Sequence, residues 1–185
     1  MALVITGGEK NGAHLYQAPV TLTRPTSCRA RQALFSIILS KFFQDGFYGK
    51  SCLDCFCGSG SIGLELLSRG ATNVTFVEKD SIVFSFLKQN IQKLSYEKNS
   101  ILLKASFEKA VYKNTPFDLI FCDPPYGKIS YEEILDFFSK STLTTKDTLL
   151  VLETNNQEIL SSSHWSLLDV RTYGLVRFHF FKKEP

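Results

Sequence analysis

From residue 50 onward, apolar residues recur at two spacings that alternate along the chain. Ser51–Cys55, Asn73–Glu78, Ser100–Ala105, Asp118–Cys122 and Thr148–Glu153 are short, dense apolar runs of the kind that form buried strands. Between them, apolar positions recur at threes and fours, predicting helices over Ile62–Arg69, Ser81–Leu94 and Tyr131–Ser139, with a short helix at Phe107–Lys113. Gly70 stops the first, and Ser130-x-x-Glu133 is a capping box that starts the helix at 131. Strand and helix in strict alternation imply a parallel sheet with right-handed crossovers. After Glu153 the pattern changes: Trp165–Thr172 and Leu175–Phe181, joined through Tyr173-Gly174, predict an antiparallel hairpin at a sheet edge. Ahead of the sheet, Leu3-Val4-Ile5 and Ala13-His14-Leu15-Tyr16 predict a small hairpin. A helix then starts near Thr26-Ser27, carries Ala30, Ala33, Leu34, Ile37, Ile38 and Phe42, and ends at Gln44-Asp45-Gly46. The expected organisation is a hairpin-and-helix extension over residues 1–48 and an α/β body over 49–185.

Composition narrows the class without naming a function. At 185 residues, 44% apolar and 21% charged, the chain is long enough for a real core and too apolar to be disordered. No run approaches the roughly 18 apolar residues that span a bilayer, and residues 1–8 lack the charged start of a secretory leader. A cytoplasmic protein with five reduced cysteines is expected. Charge is uneven: residues 1–50 hold six basic side chains against two acidic ones, a surplus of four on a total of +3, so the remainder is at −1. A basic extension on a near-neutral body suits a polyanionic partner. Arg29 and Arg31 sit early in their helix, where the dipole disfavours cations, a placement that an anionic partner would explain.

Two stretches carry candidate chemistry. The first is Leu53-Asp54-Cys55-Phe56-Cys57-Gly58-Ser59-Gly60-Ser61-Ile62-Gly63. Its Gly58-x-Gly60-x-x-Gly63 lets a ligand approach the backbone, and Glu78, 20 residues past Gly58, can accept bonds from ribose hydroxyls. The pattern fits a dinucleotide or S-adenosylmethionine. Asp54 favours the second, because a carboxylate welcomes an ammonium and repels a pyrophosphate, and the loop is longer than a pyrophosphate turn needs. The second stretch is Phe121-Cys122-Asp123-Pro124-Pro125-Tyr126-Gly127. Neither proline can continue a central strand, so a carboxylate and an aromatic ring are delivered on a rigid turn at a strand's carboxyl end, where ligands of parallel sheets bind.

In combination these motifs resemble the class I S-adenosylmethionine-dependent methyltransferases, with their Rossmann-like sheet, and within them the bacterial small-subunit ribosomal RNA (guanine-N2)-methyltransferases. The resemblance runs through Gly7-Gly8, Arg24-Pro25-Thr26, Arg29-x-Arg31, Leu34-Phe35, the glycine loop, Gly63-Leu64-Glu65, Leu67-Ser68-Arg69-Gly70, Glu78, Asp123-Pro124-Pro125-Tyr126 and Trp165. It departs from the family pattern at Cys28 and Gln32. It implies S-adenosylmethionine as cofactor, held by Asp54, Phe56, Gly58, Ser59, Gly60, Glu78, Ser106 and Phe107. Asp123, Pro124 and Tyr126 are then catalytic, and Arg24, Arg29, Arg31 and Pro125 meet the RNA. The chemistry agrees: a guanine amine is a poor nucleophile, and a carboxylate with a proline carbonyl can accept both its N–H bonds. The expected partner is small-subunit ribosomal RNA, free or in a 30S particle, acted on by a monomer without metal or membrane. The same turn would serve adenine-N6 or cytosine-N4 of DNA, or a protein glutamine; an oxidoreductase would leave Asp123–Tyr126 unexplained.

The remaining reactive side chains are assigned to packing. Cys52, Cys55, Cys57 and Cys122 lack the two spaced pairs of a zinc site. His14, His164 and His179 have no nucleophile pattern around them, and Trp165 is expected to pack at the sheet edge.

Overall fold

The strand runs are dense in apolar residues because both faces of the sheet are covered. The structure, a computed structural model, describes residues 3–19, 26–113, 116–155, 160 and 162–184. In chain order the elements are α1 (Cys28–Ile37), β1 (Ser51–Cys55), α2 (Ser61–Ser68), β2 (Asn73–Val77), α3 (Ser81–Leu94), β3 (Ser100–Leu103), β4 (Leu119–Cys122), α4 (Tyr131–Lys140), β5 (Leu149–Asn155), β6 (Trp165–Tyr173) and β7 (Val176–Lys183). They form one seven-stranded sheet in the order β3-β2-β1-β4-β5-β7-β6. β1 to β5 pair in parallel; β7 runs antiparallel to both β5 and β6, which gives the expected edge hairpin.

Alternate side chains of the strands feed two apolar layers. On β4, Leu119 and Phe121 point to one layer and Ile120 and Cys122 to the other. The first layer gathers Leu34, Phe35 and Ile38 from the N-terminal helix, Leu64 and Leu67 of α2, Leu87 and Ile91 of α3, and Phe178 and Phe180 of β7. The second holds Ile134, Leu135 and Phe138 of α4 against Leu53, Ile120 and Leu150, with Trp165 closing it. Trp165 packs as expected, its indole N–H donating to the Leu135 carbonyl at 2.9 Å. The N-terminal hairpin is present as a bridge between Val4 and His14, and Leu3, Ile5 and Leu15 share the first layer.

Two predicted elements differ in detail. The helix expected through Phe42 is α-helical only to Ile37 and continues as a π turn over Ile38–Phe42, with the Phe43 N–H bonded to the Ile38 carbonyl. The wider turn stacks Phe42 on Phe180 at 5.4 Å and sets Phe43 against Phe47. The helix expected at 107–113 contracts to one 3-10 turn, Phe107–Lys109, because the Tyr112 hydroxyl takes the Phe107 carbonyl that a helix would need. The capping box of α4 forms as read, Ser130 Oγ accepting from the Glu133 N–H and Glu133 from the Ser130 N–H. Among the described residues no helix is long and apolar enough to cross a membrane.

Candidate active site

The two sequence motifs meet because their strands are neighbours. β1 and β4 pair in parallel with Cys55 opposite Cys122, so the glycine loop that starts at Phe56 and the turn that starts at Asp123 leave the sheet side by side. Adjacent strands lie about 4.8 Å apart, within reach of one bound small molecule.

The glycine loop is strained and tightly tied. Phe56 at φ 64°, Gly58 at φ 56° and Gly60 at φ 86° all adopt the left-handed conformation, which for a phenylalanine costs on the order of 1–3 kcal/mol. Its anchors are the Cys57 N–H on the Val77 carbonyl at 3.0 Å and the Gly60 N–H on the Cys57 carbonyl at 2.8 Å. Glycine is required at Gly60, where a Cβ would also lie 2.5 Å from Leu87 Cδ1, and at Gly63, where it would lie 2.2 Å from Phe76 Cε1. The last glycine of the fingerprint therefore presses α2 onto β2.

Glu78 follows β2 and spans the gap. One oxygen accepts the Gly58 N–H at 3.1 Å and the other the Asp80 N–H at 2.8 Å. A carboxylate has about four acceptor sites, so Glu78 can hold the loop and still take a ribose diol. It also occupies the Gly58 N–H that a pyrophosphate would claim. A Gly58 N–H already taken by a carboxylate fits a neutral ribose and a sulfonium better than a dinucleotide.

Asp54 corrects an expectation. It is 1% exposed and accepts the Gly63 N–H at 2.8 Å, so it supports the first turn of α2 from beneath instead of facing a ligand's ammonium. Burial pushes its carboxyl up to about 7; the Gly63 bond opposes that shift and the Glu78 charge adds to it. Phe107 is corrected too. Its ring is buried, 5.2 Å from Phe56 and 5.1 Å from Phe137, so only its backbone and Ser106, which is half-buried, border the site. The Phe107 ring, tilted 56° to that of Phe56, braces the strained residue. Ser59 is buried within the loop.

At the other motif, Pro124 is buried while Asp123, Pro125 and Tyr126 are half-buried. Gly127 turns at φ 70° and the Lys128 N–H closes on the Pro125 carbonyl at 3.2 Å. The turn is thus pinned between the end of β4 and the capping box of α4. One residue past the β4–β5 register, Glu153 of β5 is 2% exposed and accepts the Thr26 hydroxyl at 2.9 Å. Sequence reading passed over Glu153, although a carboxylate ending the predicted strand directly after Leu149–Leu152 marks a buried charge.

The N-terminal cations part company. Arg29 is exposed on α1. Arg31, expected to meet RNA, is 0% exposed: its Nε lies 3.3 Å from Glu65 Oε2 and its guanidinium also donates to the Val4 carbonyl. Glu65, equally buried, further binds Arg69 at 2.8 Å and both the N–H and the hydroxyl of Thr6. Arg31 is therefore a structural bolt between α1, α2 and the hairpin. Its spacing with Leu34, Phe35 and Ile38 is the signal that should have placed it on the apolar face. Arg24 lies outside the described residues. Cys52, Cys55, Cys57 and Cys122 are all buried and reduced, and burial pushes the thiols of Cys52, Cys55 and Cys57 upward, away from reactive thiolate.

Comparison with known proteins places this geometry. A family model described as Conserved hypothetical protein 95 matches residues 3–182. The chain is 32% identical over 164 residues to the Ribosomal RNA small subunit methyltransferase D of Haemophilus influenzae, covering 86% of this chain and 82% of that protein. It is 30% identical over 182 residues to the protein of the same name from Escherichia coli K12, covering 97% and 89%. The solved structure of the Escherichia coli protein yhhF superposes with a TM-score of 0.81 at 28% identity, covering 100% of this chain and 99% of that one.

Proposed function

We propose, from the premise that the chain belongs to the Conserved hypothetical protein 95 family and to the S-adenosylmethionine-dependent rRNA methyltransferases within it, that it methylates the exocyclic N2 amine of a guanine in small-subunit ribosomal RNA. One observation carries the reading: the register of Cys55 on Cys122 sets Asp123-Pro124-Pro125-Tyr126 beside the glycine loop. When bound, the cofactor supplies an electrophilic methyl group on a sulfonium sulfur. Glu78 takes the ribose hydroxyls, the Gly58–Gly60 backbone lines the methionine end, and Ser106 with the Phe107 backbone borders the adenine.

The Asp123 carboxylate and the Pro124 carbonyl accept the two N–H bonds of the target amine. That turns its lone pair toward the methyl group and stabilises the positive charge that grows on nitrogen. Two prolines keep the carbonyl aimed without cost at the moment of reaction. Tyr126 stacks on the base, Pro125 packs at its edge, and the base enters unstacked from its helix. Arg29 meets the phosphate backbone. The enzyme acts as a cytoplasmic monomer, on free rRNA or on an assembled 30S particle.

The test is tritium transfer from labelled S-adenosylmethionine to undermethylated 30S particles, free rRNA, duplex DNA and protein, run in parallel, with nucleoside analysis of the labelled RNA. Label in N2-methylguanine is the expected result. Label confined to DNA or to a protein glutamine overturns it.

A further inference from the structure

Asn90 has no place in the site as described, yet it holds three backbone groups of two separate segments. It lies on α3 among Leu87, Ile91 and Leu94 and is 0% exposed. Its Oδ1 accepts the Tyr16 N–H at 2.7 Å, and its Nδ2 donates to the Tyr16 carbonyl at 2.8 Å and to the Ser59 carbonyl at 2.9 Å. A second link runs in parallel: the Ala18 N–H donates to Ser59 Oγ at 3.2 Å, with both residues buried. Lys93, one turn further along α3, lies over the Tyr16 ring at 4.6 Å from its centroid. Leu87, one turn before, is the side chain that a Cβ on Gly60 would strike. One face of α3 thus grips both the segment leaving the N-terminal hairpin and the middle of the glycine loop.

We infer that Asn90 is a positioning residue for the cofactor loop. Only an amide meets the demand at this point, which is one acceptor and two donors on a single short side chain. Aspartate would turn a carboxylate oxygen onto two carbonyls, and an apolar residue would leave three buried backbone groups unpaired. Fixing the Ser59 carbonyl from outside adds a restraint on the peptide between Gly58 and Gly60, the two left-handed glycines of the loop. Without that restraint the loop samples other conformations, and binding must first select the competent one. Residues 16–18 act in the same assembly, so the N-terminal extension sets the shape of the cofactor site as well as bordering the substrate. This inference rests on the reading of the glycine loop as the S-adenosylmethionine site.

The test measures S-adenosylmethionine binding by calorimetry and amide hydrogen exchange at residues 58–61 for the full chain, for Asn90→Asp, and for Ile91→Val as a control that loosens α3 without removing a hydrogen bond to the loop. Failure of the wild type to bind S-adenosylmethionine would refute the underlying reading and leave Asn90 aside. Given wild-type binding, Asn90→Asp should raise Kd by roughly tenfold or more and speed exchange at 58–61, as expected for a buried group losing its partners. Ile91→Val should lower Tm and leave Kd within about twofold, because its lost methylene carries none of the loop's hydrogen bonds. Asn90→Asp with a lowered Tm, an unchanged Kd and unchanged exchange at 58–61 overturns the inference. If Asn90→Asp is insoluble, Asn90→Ser carries the same comparison, since its hydroxyl can still donate to one carbonyl.

Discussion

Replacing Arg31 by alanine separates two roles that a cation near the start of α1 could have. Its guanidinium is fully buried against Glu65, which is itself fully buried, and it also donates to the Val4 carbonyl. Arg31→Ala therefore removes a buried ion pair from one side, opens a cavity and strands one carbonyl. Removing one partner of a buried pair costs about 3–5 kcal/mol. Here Arg69 stays on Glu65 at 2.8 Å, with Thr6 donating twice, so the loss belongs at the low end, about 3 kcal/mol. For a domain of this size that lowers Tm by roughly 6–12 °C. The assay is urea and thermal unfolding alongside a salt series of rRNA binding. Arg31→Ala should destabilise the fold and leave the slope of log K against log salt unchanged. A Tm within about 2 °C of wild type together with a flattened slope would refute the buried-bolt assignment and restore Arg31 to the RNA.

Arg29→Ala should do the reverse, leaving Tm in place and reducing the salt slope by about one unit, as for a single phosphate contact; an unchanged slope removes Arg29 from the RNA surface. Asp123→Ala should lower kcat by about a hundredfold or more while S-adenosylmethionine Kd moves by no more than about threefold, read by single-turnover transfer and calorimetry; retained activity ends its assigned role. Asp54 has a folded pKa of about 7 against an ordinary 3.8. A raised carboxyl pKa contributes stability that is full below about pH 4 and is lost as pH rises through about 7, so the stability of wild type minus that of Asp54→Asn should fall by roughly 3 kcal/mol between about pH 5 and about pH 8. A pH-independent difference would show that Asp54 keeps its charge when buried.

Four side chains that no functional expectation or only a wrong one covered share one property. Arg31, Glu65, Asn90 and Glu153 are polar side chains in apolar register, and all four are buried. Arg31 stands three, four and seven residues before Leu34, Phe35 and Ile38, and Asn90 stands between Leu87 and Leu94 on the same helical face. Two residues apart on α1, Arg29 and Arg31 point about 200° from each other around the helix axis, which is why one reaches solvent and the other does not. The periodicity that located the helix also carried this distinction, but a charge count over fifty residues averages it away. The partner of each buried polar group was not legible, because Glu65 lies 34 residues from Arg31 and Tyr16 lies 74 from Asn90.

What the chain determined by itself is local in range. Strand and helix spacing, the capping box at Ser130, the glycine loop and the proline turn each express the preferences of a few consecutive residues, and apart from the 107–113 helix and the end of the N-terminal helix they formed where expected, with ends shifted by a residue or two. Tertiary structure decided which groups face a ligand and which face the core. Asp54 and the Phe107 ring lie within the candidate site by sequence position, yet one is turned under α2 and the other into the layer behind α4. Side-chain direction follows from which face of each element is covered, and that is set by neighbours far away in sequence. The pairing of Cys55 with Cys122 is of this kind: strand order, a property of the whole sheet, is what joins a glycine loop and a proline turn 67 residues apart into one site.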